Sequence, residues 1–170
     1  MKIGIISDTH NQISLIQKAL GVFKDEKVEM IIHAGDMDLA NMLEEFKNIE
    51  APIKMALGNI DQEPELFLEK AKNFGLDFVL NSFLDFNING KSFYVFHGNV
   101  LGNLSNVIDI LVSSKKYDVV IHGHTHRPRN EIIDGVLVLN PGSLQPLSVG
   151  VKPSIAIYDT DTGEARIVEL

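Results

Sequence analysis

The stretch VIHGHTHRP, residues 120–128, places three of the chain's six histidines at alternate positions directly after an apolar run. Side chains two apart on an extended backbone point the same way, so His122, His124 and His126 can converge on one point. Imidazole nitrogen is a common metal ligand. The run therefore predicts a metal site, although a turn with incidental histidines is the alternative for so short a motif.

Further polar residues follow other apolar runs along the chain. They are Asp8 and His10 after the first run, Asp36 after the second, Asn59 after the third, and His97 after a later one. Each motif alone fits a tight turn or a helix cap. Together, with no Cys in the chain, they supply the oxygen and nitrogen ligands that suit Mn, Fe, Zn or Ni. The pattern predicts a metal centre.

The elements that must position these residues are predicted by the spacing of apolar side chains. Short continuous apolar runs at 2–7, 28–33 and 53–57 are typical of buried parallel strands. Helical spacing appears at 13–24 and 39–47, and a further helix is predicted over 63–72 with Pro64 in its first turn. The first third is therefore a βαβαβ unit whose strand ends carry the polar residues.

The second half of the chain is dominated by strands. Hairpin turns are predicted at Asn89-Gly90 and Asp134-Gly135, with a third near Thr162-Gly163. A helix over 104–115 and a strand over 117–121 lie between the first two. We expect an α/β fold in which two packed mixed β-sheets are flanked by helices, a four-layer αββα sandwich formed by one domain over residues 1–170.

Composition limits the classes of function. The 170 residues are 45% hydrophobic and 22% charged, as in ordinary globular proteins. The net charge of −8 argues against stable nucleic-acid binding, which needs clustered Lys and Arg. We expect neither a signal peptide nor a membrane segment, and the absence of Cys fits a cytoplasmic location. A phosphate ligand would need a local positive centre, which bound divalent ions supply.

The motifs, taken in order, resemble those of calcineurin-like metallophosphoesterases, in particular the branch of small single-domain prokaryotic phosphodiesterases. The family pattern is Asp-x-His, Gly-Asp, Gly-Asn-His-Asp/Glu, an isolated His, and Gly-His-x-His, and the resemblance covers nearly the whole chain. The matching segments are Asp8-Thr9-His10, Gly35-Asp36, Gly58-Asn59, His97 and Gly123-His124-Thr125-His126, with Asn140-Pro141-Gly142-Ser143 similar to a further loop of the small branch.

This resemblance implies two divalent metal ions that share one carboxylate, with Mn expected first and Ni, Fe or Zn as alternatives. The implied ligands of the first ion are Asp8, His10, Asp36 and His126, and those of the second are Asp36, Asn59, His97 and His124. Asp36, Asn59 and His97 are the implied catalytic residues. The implied reaction is phosphoester hydrolysis, above all of small phosphodiesters, by in-line attack of a hydroxide shared between the ions. Whether the chain forms a homo-oligomer is left open.

One residue departs from the family pattern. Ile60 stands where many members have a histidine after Gly-Asn, so the imidazole that often protonates the leaving oxygen is missing. General acid catalysis is commonly worth about 10² to 10⁴-fold. We therefore expect slow turnover and a preference for leaving groups of low pKa, such as those of aryl phosphodiesters.

Six polar residues near these motifs have a structural interpretation beside a functional one. His33 and His122 fit either satisfied buried histidines or groups that orient a metal ligand. Asn11 fits a helix cap or a phosphate contact, and Arg127 fits a surface salt bridge or a phosphate contact. Asp38 and Asp61 fit either turn residues or carboxylates that orient a metal ligand.

Three other classes of function compete with this interpretation. Dinucleotide binding is excluded because no Gly-x-Gly-x-x-Gly turn follows the first strand. A metallo-β-lactamase-like hydrolase would carry its histidine-rich run early in the chain and would follow it with Asp-His. The serious rival is a scaffold protein of the same fold, as in a eukaryotic retromer subunit that lacks part of the ligand set. All seven ligand positions here hold coordinating residue types, which favours the enzyme.

Overall fold

Two β-sheets pack face to face, and helices cover their outer faces. The computed structural model describes residues 1–99, 103–145 and 149–170. Strands and α-helices are numbered in chain order. The expected four-layer αββα sandwich is confirmed by this architecture.

The first sheet contains the amino-terminal strands and the carboxyl-terminal hairpin. Its strands are β1 (Lys2–Ile6), β2 (Met30–His33), β3 (Ile53–Ala56), β4 (Phe78–Asn81), β10 (Ser154–Asp159) and β11 (Glu164–Glu169). They lie in the order β11-β10-β1-β2-β3-β4, and β1 to β4 are parallel. In the register, Ile6 lies opposite His33 and His33 opposite Met55, so the carboxyl ends of β1, β2 and β3 are level.

The second sheet is formed by the middle of the chain. Its strands are β5 (Phe83–Ile88), β6 (Lys91–Phe96), β7 (Val119–His122), β8 (Arg129–Ile133) and β9 (Val136–Asn140). They lie in the order β5-β6-β7-β9-β8, with β6, β7 and β9 parallel. Phe96 lies opposite His122, so β6 and β7 also end level with each other.

The helices complete the outer layers. Helices α1 (Ile13–Asp25) and α2 (Pro64–Asn73) lie on the first sheet together with a 3₁₀ helix at Ala40–Phe46, and α3 (Leu104–Ser113) lies on the second sheet. A separate apolar core fills the space between the sheets, where Ile5 and Ile32 meet Phe93 and Ile121. No helix among the described residues combines the length and apolar character that crossing a membrane requires.

Most predicted elements are present, with two differences. The hairpin turns at Asn89-Gly90 and Asp134-Gly135 are confirmed, and all four turn residues have the positive φ that favours Asn, Asp and Gly. The predicted helix at 39–47 is a 3₁₀ helix, and β4 was not predicted. Strand β4 is a half-exposed edge strand one residue before β5, so its apolar residues merge with those of the next hairpin.

Candidate metal centre

The predicted ligand residues follow the carboxyl ends of five strands, three in the first sheet and two in the second. Hydrogen bonds join the loops at these ends. The backbone N–H of Asp8 donates to the carbonyl of Gly35 (2.9 Å), and that of Gly123 donates to the carbonyl of His97 (2.8 Å). The Asp8 carboxylate accepts the N–H of His124 at 3.1 and 3.2 Å, which ties the two sheets together at this end.

The first cluster of potential ligands contains Asp8, His10 and His126. One ligand atom from each lies within 4.8 Å of the others. Asp8 Oδ1 is 3.1 Å from His126 Nε2, and His126 Nε2 is 3.3 Å from His10 Nε2. The carboxylate of Asp8 is completely buried, whereas His10 is half-buried. Two nitrogens and a carboxylate oxygen that face one another are a suitable donor set for a divalent transition metal.

The second cluster contains Asp8, Asp36 and His97, and all three are buried. Asp36 Oδ2 lies 3.2 Å from His97 Nε2 and 3.9 Å from His10 Nε2. Asp8 is thus a member of both clusters, and Asp36 touches one histidine of each. Asp36, the one carboxylate predicted to be shared by the two ions, lies beside Asp8, and both carboxylates occupy the space between the histidines.

The histidine rings are oriented by backbone carbonyls. His97 Nδ1 donates to the carbonyl of Ala34 at 2.8 Å, and His126 Nδ1 donates to that of Gln145 at 2.7 Å. A carbonyl only accepts, so Nδ1 carries the hydrogen in both rings and Nε2 faces the carboxylates. His97 Nε2 is buried and, among the residues described, has no partner in hydrogen-bonding geometry. A cation between Nε2 and the carboxylates would satisfy all of these atoms, so the residues fit a metal.

The pKa values of these groups reflect the same crowding. Burial lowers the pKa of His97, but the Asp36 and Asp8 carboxylates outweigh burial and raise it overall. Burial raises the pKa of Asp36, but the His97 imidazole, the backbone N–H of Ile60 and the His10 imidazole together outweigh burial, and the net pKa is below its ordinary value. The Asp8 carboxylate raises the pKa of His126. The two carboxylates therefore favour positive charge at both Nε2 atoms, whether it is carried by a proton or by a metal ion.

Asn59 and His124 lie at the exposed mouth of the site. The His124 ring is edge-on to that of His97, with 5.1 Å between the ring centres. Neither the Asn59 amide nor the His124 ring makes a hydrogen bond within the described part of the chain. These two predicted ligands are adjacent to the buried clusters and lie outside them.

The backbone at the site adopts an uncommon conformation. Five of the predicted ligands have positive φ, between 41° and 66°: Asp8, His10, Asp36, His124 and His126. Non-glycine residues seldom occupy this region, which costs of order 1–3 kcal/mol per residue where it is strained, although Asp and His tolerate it better than most. The glycines allow close approach, because a Cβ on Gly58 would lie 2.1 Å from Asp36 Oδ1.

His33 and His122, two of the six polar residues that had both a structural and a functional interpretation, are buried neutral histidines. His33 Nδ1 accepts the N–H of Gly35, and its Nε2 bonds the Thr9 hydroxyl, both at 3.2 Å. His122 Nδ1 bonds the carbonyl of Gly123 at 3.0 Å. Burial lowers the pKa of each histidine to about 4. His33 is thus a satisfied core histidine that also holds the loop preceding Asp36.

The remaining candidates mainly support the loops. Asn11 donates to the Asp38 carboxylate and accepts the N–H of Leu39 at 3.3 Å, so it holds the loop that leads into the 3₁₀ helix and does not cap α1. Arg127 is exposed and forms no ion pair with the described residues, so the expected salt bridge is not seen there. The carboxylate of Asp61 accepts four backbone N–H groups from the loops that carry Asp36 and Asn59.

Several supporting contacts were not predicted from the sequence. The Ser7 hydroxyl donates to Asp8 Oδ2 at 2.6 Å, and the Ser143 hydroxyl donates to the Asp8 carbonyl at 2.9 Å. Asn140 donates to the Gly123 carbonyl at 2.9 Å, so the Asn-Pro-Gly-Ser loop supports the histidine-rich loop. The carbonyls of Ala34 and Gln145 could not be predicted from side-chain chemistry, because every residue has a carbonyl. The small polar residues beside the motifs, such as Ser7, are a weak signal that a supporting contact is present.

Comparison with known proteins identifies the family. A family model described as the calcineurin-like phosphoesterase superfamily domain matches residues 1–163. The chain belongs to this superfamily. It is 38% identical over 170 residues to a phosphodiesterase of Methanocaldococcus jannaschii, with 100% of this chain and 99% of that protein covered. The small metallophosphoesterase branch expected from the motifs is confirmed.

Solved structures support the same relationship. The structure of an archaeal phosphodiesterase superposes with a TM-score of 0.91 at 38% identity and covers 100% of both chains. Vps29 of Entamoeba histolytica, in complex with Zn²⁺, has a TM-score of 0.72 at 16% identity and covers 100% of this chain and 98% of that one. The second likeness shows the fold alone.

Proposed function

We propose that this superfamily member is a phosphodiesterase with a binuclear metal centre, acting on small phosphodiesters. The observation that carries the proposal is the pair of adjacent ligand clusters around Asp8 and Asp36. Asp36 Oδ2 lies 3.2 Å from His97 Nε2 in one cluster and 3.9 Å from His10 Nε2 in the other, as a shared ligand requires. The 38% identity to a phosphodiesterase over the whole chain supports the reaction class.

The proposed ligand sets follow the motifs. Asp8, His10, Asp36 and His126 would hold one ion, and Asp36, Asn59, His97 and His124 would hold the other. Oxygen and imidazole nitrogen donors suit Mn first, with Ni, Fe and Zn as alternatives. When bound, two such ions lower the pKa of a coordinated water and offset the charge of a phosphoryl group.

The residues of the chain prepare this site before any substrate arrives. The Ala34 and Gln145 carbonyls hold the His97 and His126 rings with Nε2 facing inward. The hydroxyl of Ser7 and the N–H of His124 bind the Asp8 carboxylate and limit its rotation. Such preorganisation reduces the reorganisation that the reaction would otherwise require.

The substrate class follows from the charges around the site. Arg127 is the only Lys or Arg in the segments 7–12, 34–39, 57–63, 97–99, 123–128 and 141–145. Few side-chain cations therefore assist the ions, which suits a singly charged diester better than a doubly charged monoester. With Ile60 in place of a proton donor, aryl diesters whose leaving oxygen needs no proton are the expected best substrates.

The test is hydrolysis of bis-p-nitrophenyl phosphate by the purified protein with Mn²⁺ and with a chelator, together with elemental analysis. We expect two bound ions per chain and activity that the chelator abolishes. A protein that binds no metal and shows no chelator-sensitive activity would contradict the proposal and favour the scaffold alternative. The single domain, the cytoplasmic location and any homo-oligomer stay predictions from the sequence.

A further inference from the structure

Asp61 occupies an unusual position between the ligand-bearing loops. Its Oδ1 accepts the backbone N–H groups of Met37 (2.7 Å) and Asp38 (2.9 Å). Its Oδ2 accepts those of Asp36 (2.8 Å) and Gly58 (2.7 Å). The residue as a whole is 7% exposed. One carboxylate thus accepts four hydrogen bonds from two loops that lie apart in the sequence.

These hydrogen bonds fix the backbone on which Asp36 is presented. Asp36 and Asp38 both have positive φ, 59° and 80°, and three successive N–H groups turn toward one carboxylate. Such a concave set of N–H groups is an anion-binding arrangement, and here the anion is a side chain of the same protein. Without it, a strained loop would present three N–H groups to a buried space with no acceptor.

The same carboxylate serves one half of the proposed centre more than the other. Gly58 precedes Asn59, so Asp61 anchors the loops that carry two of the four proposed ligands of the second ion. Asp8 and His126 of the first ion are held instead by Ser7 and by the Gln145 carbonyl. Neither of them forms a hydrogen bond with Asp61 in the described residues.

We propose that Asp61 is a positioning residue that sets the affinity of the second metal ion, the one assigned to Asp36, Asn59, His97 and His124. The inference rests on the proposed function for the presence of two ions. Loss of a group that orients a metal ligand typically costs about 10 to 100-fold in metal affinity. Asp36 belongs to both proposed ligand sets and Asn59 only to the second, so the loss of affinity should be larger for the second ion, whereas a merely structural role would weaken both ions equally.

The variant Asp61→Asn tests this with minimal change of shape. One carboxylate oxygen becomes an NH₂ group, which is a hydrogen-bond donor. Two of the four backbone N–H groups then face a donor and lose their acceptor. Isothermal titration with Mn²⁺ should show two ions in the wild type. In the variant, the second ion should bind about 10 to 100-fold more weakly. The first ion, for which only the positioning of Asp36 is lost, should weaken much less. Circular dichroism establishes that the titrated protein is folded.

Asp38→Asn is the matched control for charge. It removes one carboxylate from the same loop, but that carboxylate accepts only from the Asn11 side chain among the described residues. If the effect comes from the hydrogen bonds of Asp61, the control changes the second affinity far less than Asp61→Asn does. Equal losses in the two variants, equal weakening of both ions in Asp61→Asn, or no weakening there would each overturn the inference.

A second measurement needs no variant and holds even if Asp61→Asn does not fold. Amide hydrogen exchange in the metal-free wild type should already show protection of Met37, Asp38 and Gly58, and Zn²⁺ should change it little. Rapid exchange that slows only on adding Zn²⁺ would mean that the ion organises the loop, which overturns the inference. Wild-type protein that takes up no Mn²⁺ would refute the binuclear proposal as well, whereas unchanged binding in Asp61→Asn refutes only the role of Asp61.

Discussion

The buried base and the exposed mouth of the proposed metal centre are built differently. At the base, Asp8, Asp36 and His97 are buried, and each is held by contacts with backbone groups. At the mouth, Asn59 and His124 are exposed, and their side chains form no hydrogen bonds with the described residues. The base carries the ionisable carboxylates, whereas the mouth carries neutral donors.

This difference follows from the cost of burying charge. A buried carboxylate without partners is strongly unfavourable, so Asp8 and Asp36 need hydrogen bonds whether or not a metal is bound. An exposed amide or imidazole is solvated and needs no such support. The groups at the base therefore depend on fixed hydrogen-bond partners, whereas the side chains at the mouth do not.

The largest effect is expected at the base. Asp36→Asn keeps the shape but removes the charge that faces His10 and His97. Loss of the shared carboxylate should remove several kcal/mol of transition-state stabilisation, about 10³-fold in kcat/KM for bis-p-nitrophenyl phosphate at saturating Mn²⁺. Asp77→Asn, which alters an exposed carboxylate before β4, is the control and should remain fully active. Activity of Asp36→Asn equal to that of the wild type would mean that the ions are not held at the base.

The next effect is a gain at the mouth. The backbone N–H of Ile60 donates to Asp36 Oδ1 at 3.2 Å, so residue 60 is anchored to the base while its side chain is only partly buried. Ile60→His should supply the missing proton donor and raise kcat for alkyl phosphodiesters about 10²-fold. Aryl diesters should gain much less, and the metal content should not change. No gain on alkyl esters would show that a proton donor is not what limits them.

A third effect concerns the pH dependence of stability, to which a buried neutral histidine contributes. His122 has a folded pKa of about 4, against about 6.5 when unfolded. Between pH 7 and pH 5 the unfolded chain therefore takes up a proton that the folded chain excludes, which lowers the free energy of unfolding by about 2 kcal/mol. In His122→Leu this contribution is absent, so its stability should fall less with pH. Urea denaturation of both metal-free proteins at the two pH values measures the difference, and parallel pH dependence would contradict it.

Some features of the fold and of the site could be predicted from the sequence, and others could not. Hairpins at Asn89-Gly90 and Asp134-Gly135 are predictable because the turn geometry is local to two residues. The convergence of Asp8 and Asp36 is predictable because β1 and β2 are parallel neighbours that end at one edge of the first sheet, whereas His97 reaches them from the second sheet through the packing of the two sheets. The type of the 3₁₀ helix at Ala40–Phe46 is not, because its apolar spacing also fits an α-helix.

The supports of the base were harder to predict than its ligands. The partners of His97 and His126 are backbone carbonyls, which every residue possesses. Asp61 receives N–H groups from residues 23 to 25 positions earlier, a relation that only the folded backbone creates. Side-chain type and spacing reveal which residues can do chemistry, whereas the acceptors that hold them depend on tertiary contacts.

The smallest effect is expected for a ligand at the mouth. His124→Ala removes an exposed ring next to that of His97 but keeps the backbone N–H that binds Asp8. Because a water can replace an exposed neutral donor, the second Mn²⁺ should bind only about tenfold more weakly. Activity should recover at high Mn²⁺, unlike that of Asp36→Asn. If excess Mn²⁺ fails to restore activity, His124 does more than hold an ion, and the mouth is as indispensable as the base.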